Sequence, residues 1–267
     1  MFTQYYGLKY NPFAKEIGEN ELYLSKDFKE LASRLEFMKK TRGFFLLTAE
    51  SGAGKTTALR RFASSLNPGL YRICYTALAS VTVMDFYRGL ILKMGESPEY
   101  KKVMMFEQLQ RLVDTSYHEK RITPVFILDE AQSLSGGVLE DIRMLFNFKM
   151  DSENPFILIF AGQQSIRRKL QLGMHQALRQ RITGNYHMLG LGKDEIQDYI
   201  SARLTSAGAA NVNIFTEAAT EALYTATNGI TRPLCNLITA SMTCAFAKNA
   251  QMINEEIVYQ AGLDIEI

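Results

Sequence analysis

The sequence predicts an α/β fold, a parallel sheet covered by helices on both faces, with a small all-helical domain after it. Through the first 190 residues, short apolar runs alternate with segments of helical periodicity. The runs are apolar at successive positions, as in strands buried on both faces, and alternation of such strands with helices builds a parallel sheet. After about Leu191 the strand-like runs stop and only helical spacing remains.

Taken in order, residues 5–13 are rich in Tyr, Pro and Phe without periodicity and read as an extended arm. Phe28, Leu31, Leu35 and Met38 then repeat at helical spacing across 26–40. Strands are expected at 44–48, 71–76, 124–129 and 155–161, with a weaker one at 186–189, and helices at 56–65, 83–94, 106–119 and 137–150. The second domain is expected to hold helices at 194–206, 216–227, 233–247 and 254–261. Thr216 and Asn254 are suited to start helices, and Gly208 and Gly229 to stop them. This places an α/β domain with its arm at 1–190 and a helical lid at 191–267.

Hydrophobic residues make up 47% of the 267 and charged residues 22%, the mixture of a globular protein with a real core rather than of a disordered chain. A net charge of +2 is too small to announce nucleic-acid binding by itself, so any DNA surface must be local. Cys74, Cys235 and Cys244 form no CxxC pair and leave an odd count, which points away from a disulfide framework or a zinc site and towards the cytoplasm. No basic region followed by an apolar stretch opens the chain, and the apolar runs at 125–128 and 156–161 fall far short of the roughly 20 residues needed to span a bilayer. His118, His175 and His187 stand alone, and the methionines read as core filler.

The chemistry begins at Ala49-Glu50-Ser51-Gly52-Ala53-Gly54-Lys55-Thr56, which follows an apolar strand and opens a helix, the context of a phosphate-binding P-loop. Ala49 replaces the usual first glycine. Gly52 and Gly54 let backbone N–H groups converge on phosphate oxygens, and the helix beginning at Lys55, Thr56 and Thr57 adds its positive end. Lys55 brings a cation to the phosphates and Thr56 a hydroxyl to Mg²⁺. Downstream, Val125-Phe126-Ile127-Leu128 ends in Asp129 and Glu130. A carboxylate ending a strand that neighbours the P-loop can hold Mg²⁺, the role of Asp129, and the next can polarise a water, the role of Glu130. ATP with Mg²⁺, and its hydrolysis, are the expectation.

These motifs, with Leu128-Asp129-Glu130-Ala131-Gln132, resemble the ExeA/GspA-like AAA+ ATPases and more loosely the transposition ATPases of the MuB, TniB and TnsC type. The likeness runs over about residues 5–261. Tyr6-Gly7-Leu8, Asn11-Pro12-Phe13 and Leu22-Tyr23-Leu24-Ser25 are similar to the family's opening segment, which lies beside the adenine. By the same resemblance Gln163 is the polar sensor after the next strand. Leu178-Arg179-Gln180-Arg181-Ile182 holds the arginine finger that completes a neighbouring subunit's site, Arg181 first and Arg179 in reserve. Arg232, in Asn228-Gly229-Ile230-Thr231-Arg232-Pro233, reaches back to the phosphates.

The resemblance implies a self-assembled ring or filament on duplex DNA that regulates a transposase. The alternatives are an ATPase of the general secretion pathway and an ATP-dependent scaffold with little turnover. Family members that serve secretion carry a membrane span and a peptidoglycan-binding region after the ATPase module, and neither occurs up to Ile267, which favours the mobile-element reading. Against it, the stretch expected to approach DNA, 76–82, is neutral, with only Arg88 and Lys93 following.

Overall fold

The computed structural model describes residues 2–14, 18, 22–77 and 82–266. The chain opens with α1 (Phe2–Tyr5), α2 (Lys26–Thr41), β1 (Gly43–Ala49), α3 (Lys55–Ser65), β2 (Tyr71–Ala77), α4 (Val83–Lys93) and α5 (Lys102–His118). It continues with β3 (Thr123–Asp129), α6 (Gly136–Leu145), β4 (Ile157–Gly162), α7 (Gln164–Leu170), α8 (Gln176–Arg181) and β5 (Ile182–Met188). Four helices end it, α9 (Ile196–Ser206), α10 (Glu217–Thr227), α11 (Thr231–Ala247) and α12 (Glu255–Asp264). Part of the neutral stretch expected to approach DNA, residues 78–81, lies outside the described residues.

The α/β unit comprises Leu31–Glu50 and Lys55–Met188. Its five strands are all parallel, in the order β2-β3-β4-β1-β5. β1 and β4 are buried along their whole length, which is why they show no polar alternation. Phe44 of β1 packs against Phe146, Phe156 and Phe160, with ring centroids 5.2–6.2 Å away. β2 is an edge strand and exposes Ile73 and Tyr75. Thr82 and Ser135 start α4 and α6 by accepting hydrogen bonds from Asp85 N–H and Val138 N–H.

The differences from the sequence reading have physical causes. β5 begins at Ile182, four residues earlier than expected, because Gly184 and Asn185 hide its period and only pairing with β1 reveals it. A Cβ on Gly184 would stand 2.6 Å from the Phe45 ring. The short helices α7 and α8 carry too few turns to show a periodicity. Met150 and Met174 face solvent instead of filling the core.

The helical unit comprises Met1–Glu30, Ser51–Gly54 and Leu189–Ile267. Leu8 and Phe13 of the arm are buried with Ile196, Leu204, Leu223, Leu234 and Ile257. Buried Arg203 donates to the carbonyl of Pro12, and the Tyr6 hydroxyl to that of Ala250 at 3.2 Å. The arm therefore packs with the helices, whereas the sequence reading attached it to the α/β part, and the short turn α1 precedes it. Thr216 and Asn254 cap α10 and α12 by accepting from Ala219 N–H and Ile257 N–H. Among the described residues, no helix is long and apolar enough to cross a membrane.

Candidate nucleotide site

Within the α/β unit the candidate residues gather at the C-terminal edge of the sheet. β1 leads into Glu50, whose side chain is exposed, and α3 begins at Lys55. The Lys55 ammonium is buried and donates to the carbonyls of Ala49 and Glu50, 3.0 Å each. That arrangement folds the lysine back onto the end of β1. Thr56 is exposed at the helix start and Thr57 half-buried.

β3 ends at Asp129, which is 3% exposed. Its Oδ2 accepts from the Thr56 hydroxyl at 2.9 Å and from the Tyr75 hydroxyl at 3.0 Å, and its Oδ1 from Glu130 N–H at 2.9 Å. In the sheet, β4 lies between β3 and β1, the strand that leads into the P-loop. Thr56 still reaches Asp129, since α3 starts beyond the sheet edge.

Tyr75 has no sequence signal beyond its place near the end of a strand. Burial first, and then the Asp129 carboxylate, push its hydroxyl up to about 12, so at neutral pH it stays a donor. Thr56 and Asp129 form a hard-oxygen pair beside a lysine. Among the described residues, no three His, Cys, Asp or Glu side chains converge as a self-contained metal site. The donors present fit Mg²⁺, which is commonly held by one carboxylate or two together with phosphate oxygens and water.

Glu130 lies in the left-handed region, at φ 55 and ψ 37, with its carboxylate exposed. Such a conformation in a non-glycine residue is uncommon and concentrates at functional sites. Gln163 follows β4, its side chain exposed and its N–H donating to Gln132 Oε1 at 3.0 Å. Asp129, Glu130 and Gln163 thus stand at one edge of one sheet, at the ends of adjacent strands.

Within the helical unit, Ser51–Gly54 is the tip of the phosphate loop. Gly52 and Gly54 have φ of 87° and 101°, which a side chain would resist, and Ala53 is buried. Arg232 N–H donates to the Gly52 carbonyl at 3.0 Å, and a Cβ on Gly52 would stand 2.7 Å from Arg232 Cβ. The turn before Arg232 is set by Gly229. Leu191 N–H donates to the Gly229 carbonyl at 2.9 Å, and a Cβ on Gly229 would stand 2.0 Å from the Leu191 carbonyl oxygen. The Arg232 side chain itself is exposed.

Arg181, expected to complete a neighbouring subunit's site, is engaged within its own subunit. Its guanidinium donates to the carbonyls of Arg143 at 2.7 Å and Phe146 at 3.0 Å, pairs with Asp151, and lies over the Phe44 ring. With three contacts inside its own subunit and only 13% of the side chain exposed, it holds the end of α6. Arg179, two residues earlier on α8, is exposed. Arg181→Ala should lower stability by about 1–3 kcal/mol, the cost of stranding partly buried polar groups, with nucleotide affinity unchanged. Thermal melting beside a nucleotide titration checks this, and an unchanged melting midpoint would return Arg181 to the list of free arginines.

The fold has known counterparts. Residues 38–170 match an AAA domain. Over 257 residues the chain is 30% identical to general secretion pathway protein A of Aeromonas hydrophila, in an alignment covering 95% of this chain and 46% of that protein. The chain thus spans about half the length of this curated relative. Among solved structures, Cdc6p of Pyrobaculum aerophilum superposes with a TM-score of 0.68 at 16% identity, covering 95% of this chain and 70% of that one. The Holliday junction branch migration motor RuvB of Thermotoga maritima gives 0.54 at 20% identity, covering 89% and 68%. The fold is that of the P-loop AAA+ ATPases, a five-stranded parallel sheet flanked by helices and followed by a helical region.

Proposed function

We propose that this chain binds ATP with Mg²⁺ through Glu50, Ser51–Gly54, Lys55, Thr56, Thr57 and Arg232, and hydrolyses it. The observation that carries the reading is the placement of Thr56, Asp129 and Glu130 together at the sheet edge from which the P-loop leaves. Bound Mg²⁺ would neutralise charge on the phosphate oxygens. Thr56 and Asp129 would hold it, Lys55 turns from its carbonyl partners to phosphate, and Glu130 takes a proton from the water that Gln163 orients, as that water bonds to the γ-phosphorus and the bond to the departing ADP oxygen breaks. The AAA+ fold supports assembly of several copies, and we assign the trans-acting finger to Arg179, which is exposed where Arg181 is not.

The assembled protein, on this reading, engages duplex DNA and regulates a transposase. Exposed Arg72, Arg88 and Lys93 on β2 and α4 supply local positive charge that the whole-chain balance does not. The likeness to general secretion pathway protein A favours the alternative, an ATPase serving secretion.

One titration separates these. ATP turnover per subunit should rise with protein concentration, rise further with duplex DNA at low salt, and lose the DNA effect as salt increases. Turnover indifferent to protein concentration would sink the shared interface. Turnover that responds to concentration but not to DNA would move the assignment to the secretion reading.

A further inference from the structure

We infer that Gln132 is a positioning residue for hydrolysis, which fixes the Glu130 carboxylate by tying it to the end of β4. The inference rests on the ATPase reading above. Glu130 is exposed, and its flexible side chain has no steric reason to hold one direction. Gln132 provides one. Its Nε2 donates to Glu130 Oε2 at 2.5 Å, while its Oε1 accepts from Gln163 N–H at 3.0 Å. With one end needed as donor and the other as acceptor, the amide is locked in a single orientation.

Three further features are arranged around this tether. Gly162 leaves the space it occupies, because a Cβ there would stand 2.5 Å from Gln132 Oε1. The turn that carries Gln132 is held by the Lys169 ammonium, which donates to the carbonyls of Gln132 at 2.8 Å and Leu134 at 2.6 Å. Glu130 enters the turn with a left-handed backbone that aims its side chain towards Gln132. A carboxylate that accepts one amide hydrogen still has lone pairs for a water, so the tether aims the base without consuming it. It also makes Glu130 and Gln163, on adjacent strands, parts of one hydrogen-bonded unit.

Gln132→Glu isolates the inference, since it keeps an oxygen acceptor for Gln163 N–H while removing the donor to Glu130 and placing a second carboxylate against it. The expected result is a kcat lower by on the order of 10–100-fold, as for a misplaced catalytic group. The KM for ATP, the Kd for a fluorescent ATP analogue in Mg²⁺, and the melting midpoint should match the wild type. Gly162→Ala, which displaces the Gln132 side chain, should reproduce the loss of kcat.

A residue that only braced the turn through Gln163 would behave otherwise. Gln132→Glu would then keep kcat within about two-fold of the wild type, or lose nucleotide affinity and melting midpoint together with it, and either result overturns the inference. Wild type and Glu130→Gln measured alongside report on the ATPase reading separately. Turnover lost in Glu130→Gln but kept in Gln132→Glu overturns the tether alone, and no turnover in the wild type overturns both.

Discussion

Glu130→Gln should bind ATP as the wild type does while its turnover falls by roughly 10²–10⁴-fold, the usual contribution of a general base. The separation follows from the strand end. Asp129 and Thr56, assigned to the cation, bond to each other, and the Asp129 carboxylate takes its third hydrogen bond from the backbone N–H of residue 130, which a glutamine keeps. The amide preserves shape but cannot take a proton from water. Single-turnover hydrolysis beside equilibrium nucleotide binding reads the two quantities apart. Equal turnover in variant and wild type would remove Glu130 from the chemistry, and equal loss of binding would make it a structural residue of the β3 turn.

Lys55→Ala should weaken ATP binding by at least about ten-fold and on the order of 100-fold, the worth of one or two charge-assisted hydrogen bonds to phosphate. The side chain is buried, and its ammonium sits 3.0 Å from the carbonyls of Ala49 and Glu50. Truncation therefore strands two loop carbonyls as well as removing the cation. A melting curve without nucleotide guards against mistaking unfolding for lost affinity. Retained affinity in a well-folded Lys55→Ala would mean that backbone N–H groups carry the phosphates alone.

The candidate site was legible in the sequence wherever a residue's role depends on its own neighbours in the chain. A phosphate loop needs glycines, a lysine and a hydroxyl in consecutive positions between a strand and a helix, so Gly52, Gly54, Lys55 and Thr56 could be read directly. Asp129 and Glu130 were legible for the same reason, as charges that end an apolar strand. Gln132 was visible as a letter of its motif but not as a partner of Gln163, since 31 residues separate the two. Tyr75, on an edge strand, was invisible as a partner of Asp129, 54 residues away.

Arg181 and Arg179 mark the limit most plainly. Both are arginines on a short helix, and the residues around them do not say which guanidinium is satisfied within its own subunit. Arg143 and Phe146, at the end of α6, offer their carbonyls to Arg181 and leave Arg179 in solvent. Likewise the place of β4 between β1 and β3 is a matter of sheet order, which periodicity does not encode. The sequence by itself determined the alternation of strands and helices and the places of the phosphate loop and acidic strand end, because both are written in local spacing. Strand order, the packing of the arm with the helices, and the partners of Tyr75, Gln132 and Arg181 were decided only by the tertiary structure, because each depends on hydrogen bonds and packing between residues distant in the chain.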